Sequence, residues 1–196
     1  MNSYSIEDIE NLFLRFGNEP YDGLPPEETV TTLEHALQCA QLAEWSGADD
    51  SLVAAAFLHD LGKFVADDSA RETAHELRAL PHLSDMFSAQ VLEPIRLHRV
   101  AKRYLAATEP AYLKGLSPTA MRALELQGGP MTSGEVTRFE ATPYAREAVQ
   151  LRRWHDAAKV PGQRTPSLDY YLALLEDLKR QAADRDKLEV GPQTVS

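Results

Sequence analysis

Apolar residues recur along this chain at intervals of three and four, and nowhere do they alternate convincingly over the length of a strand. Ile6, Ile9, Leu12, Phe13 and Phe16 share one helical face, with Ser5 as the N-cap and Gly17 as the stop, which predicts a helix over 5–17. Leu33, Ala36, Leu37, Ala40, Leu42 and Ala43 predict a second over 31–45. The third opens on the turn Gly47-Ala48-Asp49-Asp50 and has the interior Leu52-Val53-Ala54-Ala55-Ala56-Phe57-Leu58, a buried helix expected over 51–64. Further helices are expected from near Arg71 to before Pro81, over 84–107 with Pro94 placed to kink or divide it, over 118–126 behind the cap Ser117, over 143–159, and over 168–183 behind the cap Ser167. The fold class is therefore all-α, a bundle of about seven to nine helices joined by short loops. Residues 1–183 read as a single helical domain and 184–196 as a polar, disordered tail.

Charge narrows the partners. Thirty acidic residues against twenty basic ones give a formal charge of -10 with no offsetting basic tract. Sequence-independent binding to nucleic acid or to an anionic membrane is disfavoured on that balance. A local cluster, Arg96, His98, Arg99, Lys102 and Arg103, can still build a basic pocket for a small anion. The single cysteine, Cys39, fits a reducing cytosol and reads as a small core residue. The N-terminus lacks the regions of a signal peptide and no apolar run reaches about 18 residues, so the expectation is a soluble, cytoplasmic protein with no membrane span.

Against this apolar background a few polar residues are out of place. His59-Asp60 stands at the end of the most hydrophobic helix, where burial is costly unless the pair binds something. Adjacent imidazole and carboxylate groups can bridge two divalent metals, one through nitrogen and one through oxygen. His35, His75, His98 and either His155 or Asp156 come from other predicted helices or their ends. Helices that each project one ligand inward are the usual way to build a metal site in a bundle. His98 and Lys102 are four apart and share a helical face. The loop from Asn18 to Pro26 carries Tyr21, with Glu27 and Glu28 just after it, and loops of this kind often carry function.

The order His35, His59-Asp60 and a late acidic position resembles the HD-domain superfamily of all-α metalloproteins. A narrower likeness, to its phosphonate-cleaving PhnZ-like and TmpB-like oxygenases, is carried by several runs. These are Val30-Thr31-Thr32-Leu33-Glu34-His35, Ala55-Ala56-Phe57-Leu58-His59-Asp60-Leu61-Gly62, His75-Glu76, His98-Arg99-Val100-Ala101-Lys102-Arg103-Tyr104-Leu105, Leu116-Ser117, Leu126-Gln127-Gly128-Gly129, and Arg153-Trp154 with Ala158-Lys159. The resemblance implies an HD-type domain and a mixed-valent centre of two iron ions, with another divalent metal as the alternative. His35, His59, Asp60 and the position after Trp154 would hold one iron, and His75, His98 and bridging Asp60 the other. Lys102 would grip a phosphonate, with Lys63 and Gln127 also facing the substrate, while Tyr21 and Glu28 would guard the second iron. The implied reaction uses O2 to cleave the C–P bond of a small, anionic, hydroxylated phosphonate or related polar acid, giving phosphate and a carboxylate.

Three residues depart from that pattern: Lys63 stands in place of a histidine, Ala120 in place of a serine, and His155 in place of an aspartate, with Asp156 one residue later. His-Asp-x-Gly-Lys is also common among metal-dependent HD phosphohydrolases, and the triple departure also fits a bundle retained for binding or regulation. Oligomeric state is not legible.

Overall fold

The computed structural model describes residues 3–21, 29–65 and 75–189, with side chains for all of these except 75–76 and 185–189. Glu28 lies outside the described residues, as does the side chain of His75.

The helices are α1 (Ile6–Phe16), α2 (Thr32–Trp45), α3 (Asp50–Leu58), α4 (His75–Arg78), α5 (Leu80–Leu83), α6 (Ala89–Thr108), α7 (Pro110–Gly115), α8 (Pro118–Leu126), α9 (Ser133–Glu140), α10 (Ala145–Ala157) and α11 (Leu168–Glu189). Eight of these have eight residues or more, which is the expected bundle; α4, α5 and α7 are short connectors. The described residues include no strand, only an isolated bridge between Pro20 and Thr31.

Local chemistry sets the helix starts. Ser5 and Thr31 each accept from the backbone amide three residues on, and Asp8 and Glu34 return the bond to the cap amide, closing capping boxes on α1 and α2. Asp49 caps α3. α3 is the centre of the molecule: every side chain from Leu52 to Leu58 is buried, and α2, α6, α10 and α11 pack around it. A second, smaller core of Leu97, Ala101, Met131, Phe139, Ala145 and Ala148 joins α6, α9 and α10.

Several boundaries differ from the sequence reading, and α10, expected over 143–159, runs from Ala145 to Ala157. α3 stops at Leu58 and tightens into a 3₁₀ turn over Leu61–Lys63, so it does not continue as an α-helix to 64. The bend is made by Asp60 (φ -105, ψ 6), not by Gly62, which keeps a negative φ. α6 begins at Ala89 and runs unbroken through Pro94. Pro81 and His82 lie inside α5, with the proline in the first turn, where its missing N–H costs nothing. α11 extends to Glu189, beyond 183. No described helix is long and apolar enough to cross a membrane.

Candidate metal centre

Where α3 ends, the chain stops turning helically and presents two consecutive side chains to the same place. On a continuing α-helix His59 and Asp60 would point about 100° apart. The conversion to a 3₁₀ turn brings His59 Nε2 within 3.3 Å of Asp60 Oδ2, with both residues buried. His35, one turn into α2, and His155, in the last turn of α10, complete a group whose ligand atoms all lie within 4.8 Å of one another. His35 Nε2 is 3.3 Å from His59 Nε2, and His59 Nε2 is 3.0 Å from His155 Nδ1.

The protons on these rings are set from behind. Nδ1 of His35 donates to the carbonyl of Ala158 at 2.8 Å, Nδ1 of His59 to Ala56 at 2.8 Å, and Nδ1 of His98 to Ile95 at 2.7 Å. A carbonyl only accepts, so each Nδ1 carries the proton and each Nε2 of a neutral ring is a lone pair. Burial foremost holds His35, His98 and His155 well below the usual histidine range, and for His35 and His98 the neighbouring His59 acts in the same direction. His35 Nε2 and His59 Nε2 thus face each other as two buried acceptors, a contact that no hydrogen bond between the two rings can satisfy and a shared cation can. Their spacing fits as well, since two nitrogens at right angles and about 2.1 Å from one ion stand about 3.0 Å apart. The donor set, three imidazoles and a carboxylate, is that of a transition-metal site.

Tyr21 covers the cluster. The bridge between Pro20 and Thr31 pins its backbone beside the start of α2, with Tyr21 N donating to Val30 O at 2.9 Å. Its ring stacks on His35 with centroids 3.7 Å apart, and its hydroxyl donates to Asp60 Oδ2 at 2.6 Å. Burial and the Asp60 carboxylate push the phenol well above its ordinary pKa, so it remains a proton donor. Lys63 Nζ reaches the same Asp60 oxygen at 2.8 Å and lies 3.7 Å over the Tyr21 ring.

Beyond Tyr21 and His155 opens a cavity of about 830 Å³. Its described lining includes Lys63, Arg99, Lys102, Arg152 and Lys159 against one carboxylate, Asp156, so a protein of formal charge -10 builds a cationic chamber. Lys102 is buried, and its Nζ donates to the carbonyl of Ala120 at 2.6 Å. Burial, then Arg152, brings its pKa down to about 8. Ala120 therefore contributes its backbone oxygen to this wall, where a serine hydroxyl was the comparison. Gln127 lines the cavity too and, with its amide oxygen turned to Arg99, accepts from Nη2 at 2.9 Å. Of the expected basic cluster, His98, Arg99 and Lys102 face the cavity, whereas Arg96 pairs with Glu93, and Arg103 bonds Gly129 and Glu135.

The two residues left open at the end of α10 separate. His155 joins the cluster; Asp156 does not. Its Oδ2 accepts from Tyr112 at 2.6 Å and from Arg152 Nε at 3.0 Å, and its Oδ1 is also bonded by Arg152. His98 stands beside the cluster on the cavity wall, its ring centroid 5.3 Å from that of His59. Arg152 and Tyr112 were missed as site residues. The four-residue spacing of Arg152 and Asp156 was a readable sign of their pairing, but nothing local marks Tyr112.

A model of the HD domain matches residues 32–131. The chain belongs to the HD-domain family. The hydroxymethylphosphonate dioxygenase of Gimesia maris is 45% identical to this HD-domain protein over 152 residues, 74% of this chain and 76% of its own. The 1-hydroxy-2-(trimethylamino)ethylphosphonate dioxygenase (glycine-betaine-forming) of Leisingera caerulea is 34% identical over 177 residues, 87% and 88% of the two chains. In this HD-domain protein the pair for which the family is named, His59-Asp60, lies at the focus of the buried cluster.

Proposed function

We propose that this HD-domain protein is an O2-dependent oxygenase that cleaves the C–P bond of a small hydroxylated organophosphonate, using two iron ions in a mixed-valent state. The observation that carries the reading is the facing pair of imidazole lone pairs beside Asp60, opening onto a cavity lined by ammonium and guanidinium groups. Two well-covered relatives named as phosphonate dioxygenases support it. His35, His59, Asp60 and His155 would hold one iron, and Asp60 with His98 and His75 the second. Bound there, the metals would supply electrons to O2 and an electrophilic seat for the substrate hydroxyl.

The protein's own groups do the remaining work. Lys102 and Arg152 bind and orient the phosphonate, and Lys63 adds positive charge next to Asp60. Tyr21 excludes water from the imidazoles and, keeping its own proton, donates a hydrogen bond to Asp60 Oδ2. For the simplest substrate, hydroxymethylphosphonate and O2 become formate, phosphate and a proton: one oxygen atom goes to carbon, one to phosphorus, and the C–P bond breaks. The lone, buried Cys39 agrees with a cytoplasmic setting.

The test is anaerobic purification and iron loading, followed by O2 uptake and phosphate assays with hydroxymethylphosphonate. O2 consumed and phosphate released in equal amounts are expected. Phosphate release from phosphomonoesters without O2, and none from the phosphonate, would assign a phosphohydrolase instead.

A further inference from the structure

The four converging donors bring a single negative charge, that of Asp60, because His35, His59 and His155 are neutral ligands. Even this charge is shared, since Lys63 Nζ lies 2.8 Å from Asp60 Oδ2. The next carboxylate along α10, Asp156, is bound by Arg152 and Tyr112 and directed away from the cluster. Among the described residues, nothing further compensates a divalent or trivalent ion held by these donors, in an interior where Asp60 is 4% exposed and His35 and His59 are fully buried. Uncompensated charge in such a place is costly. The missing charge can arrive through the cavity: His155 lines both the cluster and the chamber, and Lys63, Lys102 and Arg152 stand around the same opening to draw an anion in.

We infer that His155, a neutral ligand at the junction of cluster and cavity, leaves the metal centre short of negative charge, and that the substrate's anion supplies it, so that metal and anion each strengthen the binding of the other. The inference rests on the metal-binding reading above. Its consequence is a site that holds metal most firmly when an anionic substrate is present. By linkage, the anion binds most firmly to the metal-loaded protein. An asparagine or glutamine in place of His155 would not repair the deficit, whereas a carboxylate would. The deficit also selects among ligands, favouring a phosphonate dianion over a neutral ester of the same size.

Titration of metal-stripped full-length protein with Co(II), whose visible bands report binding, tests this without any turnover. Methylphosphonate is the anionic probe and neutral dimethyl methylphosphonate the control. Saturating methylphosphonate is expected to lower the Co(II) dissociation constant about 5- to 150-fold, within the usual range of coupling between sites, and the ester to leave it unchanged. In His155→Asp, Co(II) is expected to bind more tightly without any anion, and the effect of methylphosphonate to shrink to about twofold or less. Equal Co(II) affinity with and without methylphosphonate in the wild-type protein overturns the inference, as does undiminished coupling in a folded His155→Asp. Should that variant not fold, the anion and ester titrations of the wild-type protein decide. Failure of the wild-type protein to bind Co(II) or Fe(II) at all would overturn the metal reading itself and this inference with it, a result distinct from binding without coupling.

Discussion

Asp60→Asn is expected to strip the protein of metal while leaving its fold intact. Asparagine has the shape of aspartate, and its amide oxygen still accepts from Tyr21 and Lys63, which meet Asp60 Oδ2 at 2.6 and 2.8 Å. What it lacks is charge. Asp60 is the one anionic donor among the four, 3.3 Å from His59 Nε2 and 3.8 Å from His35 Nε2. Loss of a hydrogen-bonded partner behind a ligand weakens metal sites by about 10- to 100-fold, so loss of the charged ligand should cost at least about 100-fold. Phosphate release from hydroxymethylphosphonate should fall to the background rate. Metal analysis, circular dichroism and a thermal melt check the expectation together; wild-type iron content with unaltered activity would be inconsistent with a ligand role for Asp60.

Lys102→Met is expected to make the enzyme worse and the protein more stable. Lys102 is buried against Ala120 O, and burial brings its pKa down to about 8, so it is charged below that pH and neutral above. A charge-assisted hydrogen bond to a phosphonate contributes about 1.5–3 kcal/mol, or roughly 10- to 150-fold in kcat/KM. For the wild-type protein kcat/KM should therefore decline as pH rises through about 8, and this limb should vanish in the variant. Stability runs the other way. With a folded pKa near 8 and an ordinary lysine value in the unfolded chain, the unfolded state holds more protons between the two, and stability rises with pH across that window. Below it the cost of the buried charge is fully present. Methionine removes that cost, and at pH 7 the melting temperature should rise by roughly 2–4 °C for each kcal/mol relieved. A fall in melting temperature with unchanged kcat/KM would mark Lys102 as a structural residue.

Much of the fold was legible because helices here are specified locally. Ser5 and Asp49 mark starts by capping, and the periodic faces of α1 and α2 mark their extents. The candidate site stands out for a different reason: a polar pair on a helix as apolar as α3 conflicts with its surroundings, and burial of His59 and Asp60 makes that conflict physical. Boundaries that depend on tertiary packing were less accessible. The end of α3 at Leu58 is one, because Gly62 suggested a bend that the chain makes two residues earlier, at Asp60. The choice between His155 and Asp156 is another. One residue on a helix is about 100°, and which of two neighbours faces the cluster is settled by how α10 lies against α2 and α6 and by what captures the other. Arg152, four residues before Asp156, was the local half of that answer; Tyr112, from α7, was the half that only the fold could supply. The chamber's charge was similarly half visible: Arg99 and Lys102 were read from one helix, but Lys63, Arg152 and Lys159 join them only through packing.

The proposed metal centre can be tested directly. Crystals of iron-loaded protein, grown anaerobically and measured on both sides of the iron absorption edge, should show an anomalous peak about 2.1 Å from the facing nitrogens of His35, His59 and His155, with Asp60 between it and a second peak toward His98. Asp156 should remain with Arg152 and Tyr112. No iron peak among His35, His59, Asp60 and His155 in protein shown to carry stoichiometric iron would contradict the assignment of this cluster as the metal centre.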